Sequence, residues 1–229
     1  MLQTIAEQAV GHNGQPVRYT RIQPSASRSR AICFFCPGAS YLFDKPYLYY
    51  ATMLLLGRSV DLVHIEYTCV RDNTAFSKLT MAERSRWLQE DVNAVVENVL
   101  AEHPYEQILF LGKSIGTMPI VDGLLPNPLY EKASAILLTP ILTSEQLATN
   151  LLAAEQSVFL AIGTGDPFYQ KDLIERLETT KPNLRLCVVP NANHALEIGW
   201  DVRSSIAALE QVMGKLEGFV SPLLPAESK

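Results

Sequence analysis

The 229-residue sequence predicts an α/β fold: a mostly parallel central sheet with helices on both faces, led by an antiparallel hairpin. Three observations predict it. Short apolar runs at 31–35, 60–65, 108–111, 135–138, 158–162 and 184–189 alternate with stretches of helical periodicity. Runs of that length, bounded by turn residues, read as strands buried on both faces, and their alternation with helices reads as parallel crossover units. Residues 4–10 and 16–22 flank Gly11-His12-Asn13-Gly14, whose Asn-Gly pair is a hairpin signal. The run at 108–111 leads directly into Gly112-Lys113-Ser114-Ile115-Gly116, a sharp turn at the mouth of a helix.

The elements follow in order. After the hairpin, the strand at 31–35 ends at Pro37-Gly38, and residues 47–57 read as a helix before the strand at 60–65. Residues 81–102 are the clearest helix. Thr80 and Glu83 have capping-box spacing, and Leu88, Val92, Val95, Val96, Val99 and Leu100 form one apolar stripe. Pro104 ends it. A further helix is expected from Ser114 or Ile115, with Pro119 in its first turns, where a missing N–H does least harm. Residues 170–179 are expected to be helical, and a closing amphipathic helix carries Val202, Ile206, Leu209, Val212 and Leu216. No repeat or low-complexity tract interrupts the chain, so residues 1–229 are expected to form a single domain. Residues 140–156 leave room for a short helix or no cap at all.

Composition narrows the function classes. Apolar residues make up 48% and charged residues 19%, as in an ordinary globular protein. The net charge of -5 and the lack of a long Lys/Arg run exclude a nucleic-acid footprint. The local basic cluster of Arg28, Arg30 and nearby Arg21 reads as a solvated loop before a strand. The N-terminus lacks a basic start and an apolar core, and the most apolar helix, near residues 47–56, is too short to span a bilayer. A cytoplasmic protein with no membrane partner is expected, as monomer or homodimer. Cys33 and Cys36 have CxxC spacing. On a strand, however, side chains three apart point to opposite faces, and no second cysteine pair completes a zinc site. The four cysteines are expected to be buried free thiols.

The chemistry centres on Ser114. A serine hydroxyl needs a base to take its proton and donors for the developing oxyanion. Glycines two before and two after it relieve the crowding of a strand-to-helix turn. With 12 glycines in 229 residues, chance supplies such a pattern only about 0.04 times per chain. Of the four histidines, His12 lies in the hairpin turn and is expected to be solvated. His64 lies within a strand, and His103 ends a helix. His194 lies in the loop after the last strand, from which it can reach Ser114 as base. Asp166 ends the turn after the strand at 158–162 and is the expected orienting acid. Asp172 and Glu197 fall within or beside helices. The oxyanion donors are expected to be the amide of Ile115 and, from the loop after the first parallel strand, that of Ala39, with Ser40 as alternative. Pro37 cannot donate.

The hairpin, the Pro-Gly loop, GKSIG, GTGDPFY and NANHALE together resemble the α/β-hydrolase superfamily over nearly the whole chain. The order Ser114, Asp166, His194 is the one that family uses. The oxyanion loop reads Cys36-Pro37-Gly38-Ala39 rather than His-Gly or His-Gly-Gly-Gly, so the resemblance is to small esterases and dienelactone-hydrolase-like enzymes, with serine in place of cysteine. It implies acyl transfer to water through an acyl-enzyme, without metal or organic cofactor, on a small-molecule acyl substrate. An acyltransferase or peptidase with the same three residues, or a non-catalytic binding protein on this fold, are the alternatives. Tyr41, Phe43, Leu142, Phe168 and Tyr169 follow strand ends and are candidate pocket walls. Lys113 is expected to face solvent or an ion-pair partner, or to meet an acidic substrate group.

Overall fold

A computed structural model describes residues 2–24, 29–70 and 73–224. Gln3–Val10 (β1) and Pro16–Gln23 (β2) pair antiparallel along their whole length, with Gln3 opposite Gln23. In the connecting turn Asn13 and Gly14 both take left-handed backbone, at φ 52° and 72°, the conformation that an Asn-Gly hairpin turn requires. Ala31–Cys36 (β3), Pro46–Leu56 (α1) and Asp61–Glu66 (β4) follow. Then come Asn73–Ser77 (α2), Met81–Glu102 (α3), Gln107–Lys113 (β5) and a one-turn helix, Thr117–Pro119 (α4). Ser134–Leu138 (β6), Glu145–Ala153 (α5), Ser157–Gly163 (β7), Lys171–Thr180 (α6), Leu184–Val189 (β8) and Val202–Val220 (α7) complete the order.

The eight strands form one sheet in the order β1-β2-β4-β3-β5-β6-β7-β8. β2 meets β4 antiparallel, and every pairing from β4 through β8 is parallel. The predicted fold class is therefore the observed one. Helix α2 is an addition, since five residues are too few to show a period.

The parallel strands feed two cores by alternation. Ile32, Phe34 and Cys36 of β3, with Phe110 of β5, belong to the core that α3, α5 and α6 share on one face. Ala31, Cys33 and Phe35, with Leu109 and Leu111, pack under α1 and α7. Cys33 and Cys36 thus lie on opposite faces of the sheet, and all four cysteines are free and buried. Burial pushes the Cys36 thiol up to about 12, which leaves it protonated and inert at neutral pH. Helix α3 starts as its sequence requires. The Glu83 amide donates to Thr80 Oγ1 at 3.3 Å, and the Thr80 amide donates to Glu83 Oε2 at 2.8 Å.

Three local expectations are corrected. His12 is not solvated: its ring stacks on Trp87 at 4.2 Å, its Nδ1 lies 2.6 Å from Glu90, and its amide donates to Asp91 Oδ1. The hairpin turn is thereby pinned to α3. Arg21 is not in a solvated loop. It is 3% exposed within β2 and bridges Glu7 and Glu102, each at 3.0 Å. Arg30 is exposed and pairs with Glu106, while Arg28 lies outside the described residues. The chain after Ser114 is not one regular helix. It runs as a 3-10 turn, then α4, then a π turn over Ile120–Leu124. Pro119 has no N–H to give to the preceding turn, and the Leu125 amide reaches back five residues to the Ile120 carbonyl at 2.9 Å.

His64 in β4 is a core histidine. Its ring stacks on Phe43 at 4.0 Å and its Nε2 lies 3.1 Å from Thr52 Oγ1. Burial lowers its pKa to about 4. Because the folded value lies below the unfolded one, its contribution to stability is present above pH 6.5 and is lost as pH falls toward 4. Urea unfolding of the wild type should lose about 2–3 kcal/mol more between pH 7 and pH 4.5 than unfolding of His64→Leu. Equal losses in the two proteins would refute this account of His64.

Candidate active site

The site forms where the carboxyl ends of β5, β7 and β8 release their loops, the edge at which open α/β sheets present ligands. At the end of β5 the chain must reverse into the α4 segment within a few residues. Ser114 absorbs the reversal with left-handed backbone, φ 55°, a conformation costly for a non-glycine residue. Gly112 and Gly116 make the turn possible. A Cβ on Gly116 would lie 2.0 Å from the Cys36 carbonyl oxygen, and one on Gly112 would lie 2.5 Å from the Gly116 oxygen. Thr117 Oγ1 donates to the Ser114 carbonyl at 2.6 Å and ties the turn to the segment that follows.

Two other loops bring their side chains to Ser114. His194 Nε2 stands 2.7 Å from Ser114 Oγ, and His194 Nδ1 stands 2.8 Å from Asp166 Oδ2. A carboxylate only accepts hydrogen bonds. Nδ1 therefore carries the proton and donates to Asp166, and Nε2 is left to accept from the serine hydroxyl. The Asp166 side chain is fully buried, and its other oxygen accepts from the Phe168 amide at 2.9 Å. Both oxygens are thus engaged, which holds the carboxylate at one angle. His194 keeps 33% side-chain exposure, so the site is open to small molecules.

The loop after β3 flanks the serine. A Cβ built on Gly38 would lie 3.5 Å from Ser114 Cβ, and the Gly38 amide donates to the Tyr41 carbonyl at 3.1 Å. Ala39 and Ser40 follow, both exposed. Ile115 lies in the first turn of the segment after Ser114, where backbone N–H groups have no partner within the helix.

The candidate wall residues divide. Phe168 stands edge-on to the His194 ring at 5.1 Å, and the Tyr41 ring lies over Lys113 Nζ at 4.8 Å. Tyr169 packs partly buried against the core. The Phe43 ring is taken up by His64. Leu142 is 3% exposed and borders a groove of about 550 Å³ between α5 and α6.

Lys113 overturns its expectation. It neither faces solvent nor stands in an ion pair with a surface acid. It is 1% exposed, and its Nζ donates to Thr139 Oγ1 and, at 2.6 Å, to the His194 carbonyl. Burial lowers its pKa to about 8, with the Asp166 charge opposing the shift. Its neighbours in sequence gave no sign of this, because its acceptors lie 26 and 81 residues away. Among the described residues no group of three His, Cys, Asp or Glu side chains is arranged to hold a metal, and no helix is long and apolar enough to cross a membrane.

No family model and no curated protein sequence matches the chain. Solved structures do. An α/β serine hydrolase without lid from Xanthomonas campestris is 18% identical, with 99% of this chain and 97% of that one covered at TM-score 0.72. The Pyrococcus furiosus esterase Pf2001 is 14% identical, with 96% and 93% covered at TM-score 0.72. A dienelactone hydrolase from Anabaena variabilis is 16% identical, with 96% and 98% covered at TM-score 0.70. At these identities the likeness establishes the fold, and this chain has the α/β-hydrolase fold.

Proposed function

We propose that this protein is a serine hydrolase that cleaves a carboxylic ester or thioester of a small molecule through an acyl-enzyme on Ser114. The observation that carries the reading is the continuous hydrogen-bonded chain from Ser114 Oγ through His194 to the buried Asp166. In this reading His194 Nε2 takes the hydroxyl proton as Ser114 Oγ bonds to the acyl carbon. Asp166 holds the imidazole by its Nδ1 proton and stabilises the imidazolium. The negative charge passes to the carbonyl oxygen, where the amides of Ile115 and Ala39 receive it. The Gly38 amide is already committed to Tyr41, which favours the next amide along that loop. As the carbon–oxygen or carbon–sulfur bond breaks, His194 returns the proton to the leaving group. Water, deprotonated by His194, then attacks the acyl-enzyme and releases the acid and free Ser114.

The one regular helix between β6 and β7 is the nine-residue α5, which buries Leu147 and Leu151 in the core. The exposure of His194 suits a small acyl substrate. The named esterase and dienelactone hydrolase among the structural neighbours add weight to ester chemistry.

The test is labelling with a fluorophosphonate probe at pH 8. The wild type should be modified at Ser114, and Ser114→Ala should remain unmodified. A folded wild type that takes up no probe would refute the hydrolase reading in favour of a binding protein on this fold. A panel of p-nitrophenyl esters, acyl thioesters and peptides then separates esterase from thioesterase and peptidase.

A further inference from the structure

Lys113 occupies a socket that the hydrolytic steps above do not use. Its ammonium has three N–H donors, and three groups from three loops surround it. The Thr139 hydroxyl comes from the end of β6, where Thr139 itself is left-handed at φ 47°. The His194 carbonyl comes from the loop after β8. The Tyr41 ring face comes from the loop after β3, with the ammonium 4.8 Å from its centroid, a cation–π distance. Lys113 itself ends β5, next to Ser114. One buried cation therefore touches the loops that carry the nucleophile, the base and the oxyanion donors.

A charge 1% exposed is costly to bury. A hydrophobic residue of the same length would fill the space without that cost. What it would lack is the pair of charge-assisted bonds, each about twice as strong as a neutral one. We infer that Lys113 is a positioning residue, whose charged amine holds the His194 backbone and the Tyr41 loop in register with Ser114. The inference rests on the hydrolase reading of Ser114.

The charge makes the hold sensitive to pH. The groups facing Nζ are the Thr139 hydroxyl, the His194 carbonyl, the Tyr41 ring and the Asp166 carboxylate, whose charge supports the ammonium. Tyr41 is itself raised to about 12, chiefly by burial and with a smaller contribution from Glu197. It therefore stays neutral while Lys113 loses its proton around pH 8. The neutral amine keeps N–H groups but loses the charge-assisted part of its bonds and its attraction to the ring. The hold should weaken on the alkaline side without vanishing.

The experiment measures the rate of fluorophosphonate labelling of Ser114 between pH 6.5 and 9.5 in the full-length wild type, Lys113→Met and Thr139→Val. Hydrogen exchange across residues 190–197 is measured in parallel. The wild-type rate should fall several-fold with a midpoint near the Lys113 value of about 8. Lys113→Met should label about 10- to 100-fold more slowly at pH 7, the scale of a sub-ångström to ångström misplacement. It should also lack the alkaline fall and exchange faster over 190–197. Thr139→Val removes one acceptor, so the ammonium is less stabilised and the alkaline fall should move to lower pH. A folded Lys113→Met with wild-type labelling rates, pH profile and exchange would overturn the inference while Ser114 keeps its role. If Lys113→Met does not fold, an unmoved alkaline fall in Thr139→Val overturns it equally. A wild type without labelling removes the hydrolase reading, and the role of Lys113 in it, together.

Discussion

Asp166→Asn should lower kcat for p-nitrophenyl acetate by about 10⁴-fold and leave KM nearly unchanged. The reason lies in the two bonds that Asp166 accepts. Its Oδ2 faces the Nδ1 proton of His194 at 2.8 Å and its Oδ1 faces the Phe168 amide at 2.9 Å. Asparagine has one accepting oxygen for these two donors. If that oxygen stays with Phe168, the new NH₂ faces Nδ1, which must then accept. The ring proton moves to Nε2, and Nε2 can no longer take the proton of Ser114. If the oxygen turns to His194 instead, the NH₂ opposes the Phe168 amide and the turn after β7 loosens. The first arrangement disables the base; the second keeps the tautomer but loses the negative charge that stabilises the imidazolium, so both slow the reaction. Retention of full activity in a folded Asp166→Asn would show that another carboxylate orients His194.

Gly116→Ala should destabilise the protein by more than about 3 kcal/mol, beyond the usual range for a single added methyl. The added carbon would stand 2.0 Å from the Cys36 carbonyl oxygen and 2.6 Å from that of Pro37. Both are backbone atoms at the end of β3, so no side chain can swing away. Relief requires the Ser114 turn to part from the loop that carries Ala39. Gly214→Ala is the matched control. Gly214 lies exposed inside α7, and nothing stands within 4 Å of its missing Cβ. There the same change should stabilise by about 0.5–1 kcal/mol, since glycine is a poor residue for a helix interior. Denaturant midpoints of the two variants give the comparison directly, and similar midpoints would contradict the steric account of the Ser114 turn.

Much of the candidate site is legible in the sequence because its signals are local. The elbow is a five-residue pattern behind a buried strand, and Ser114 is left-handed between the two glycines that the pattern supplied. His194 and Asp166 stand in loops at carboxyl strand ends, and parallel topology brings those ends to one edge. The meeting of the three side chains at 2.7 and 2.8 Å follows from that common edge. Where local patterns mislead, the partner is remote. His12 looked solvated until α3 placed Trp87 and Glu90 against it. Arg21 looked like part of a surface cluster until β1 and α3 brought Glu7 and Glu102 to it. Phe43 followed a strand end, as a wall residue should, but His64 claims its ring.

Sequence alone thus determined most of the order of strands and helices and the turn at Ser114, because periodicity, caps and glycine spacing act over a few residues, and it placed Asp166 and His194 only as loop residues at strand ends. Only the tertiary structure decided the environment of the charged and aromatic side chains. Lys113 is the sharpest instance. A lysine beside Ser114 reads as a surface residue, since burying a charge is costly unless it is met by partners. Its partners are a threonine 26 residues on and a carbonyl 81 residues on, and no local pattern carries contacts over that distance.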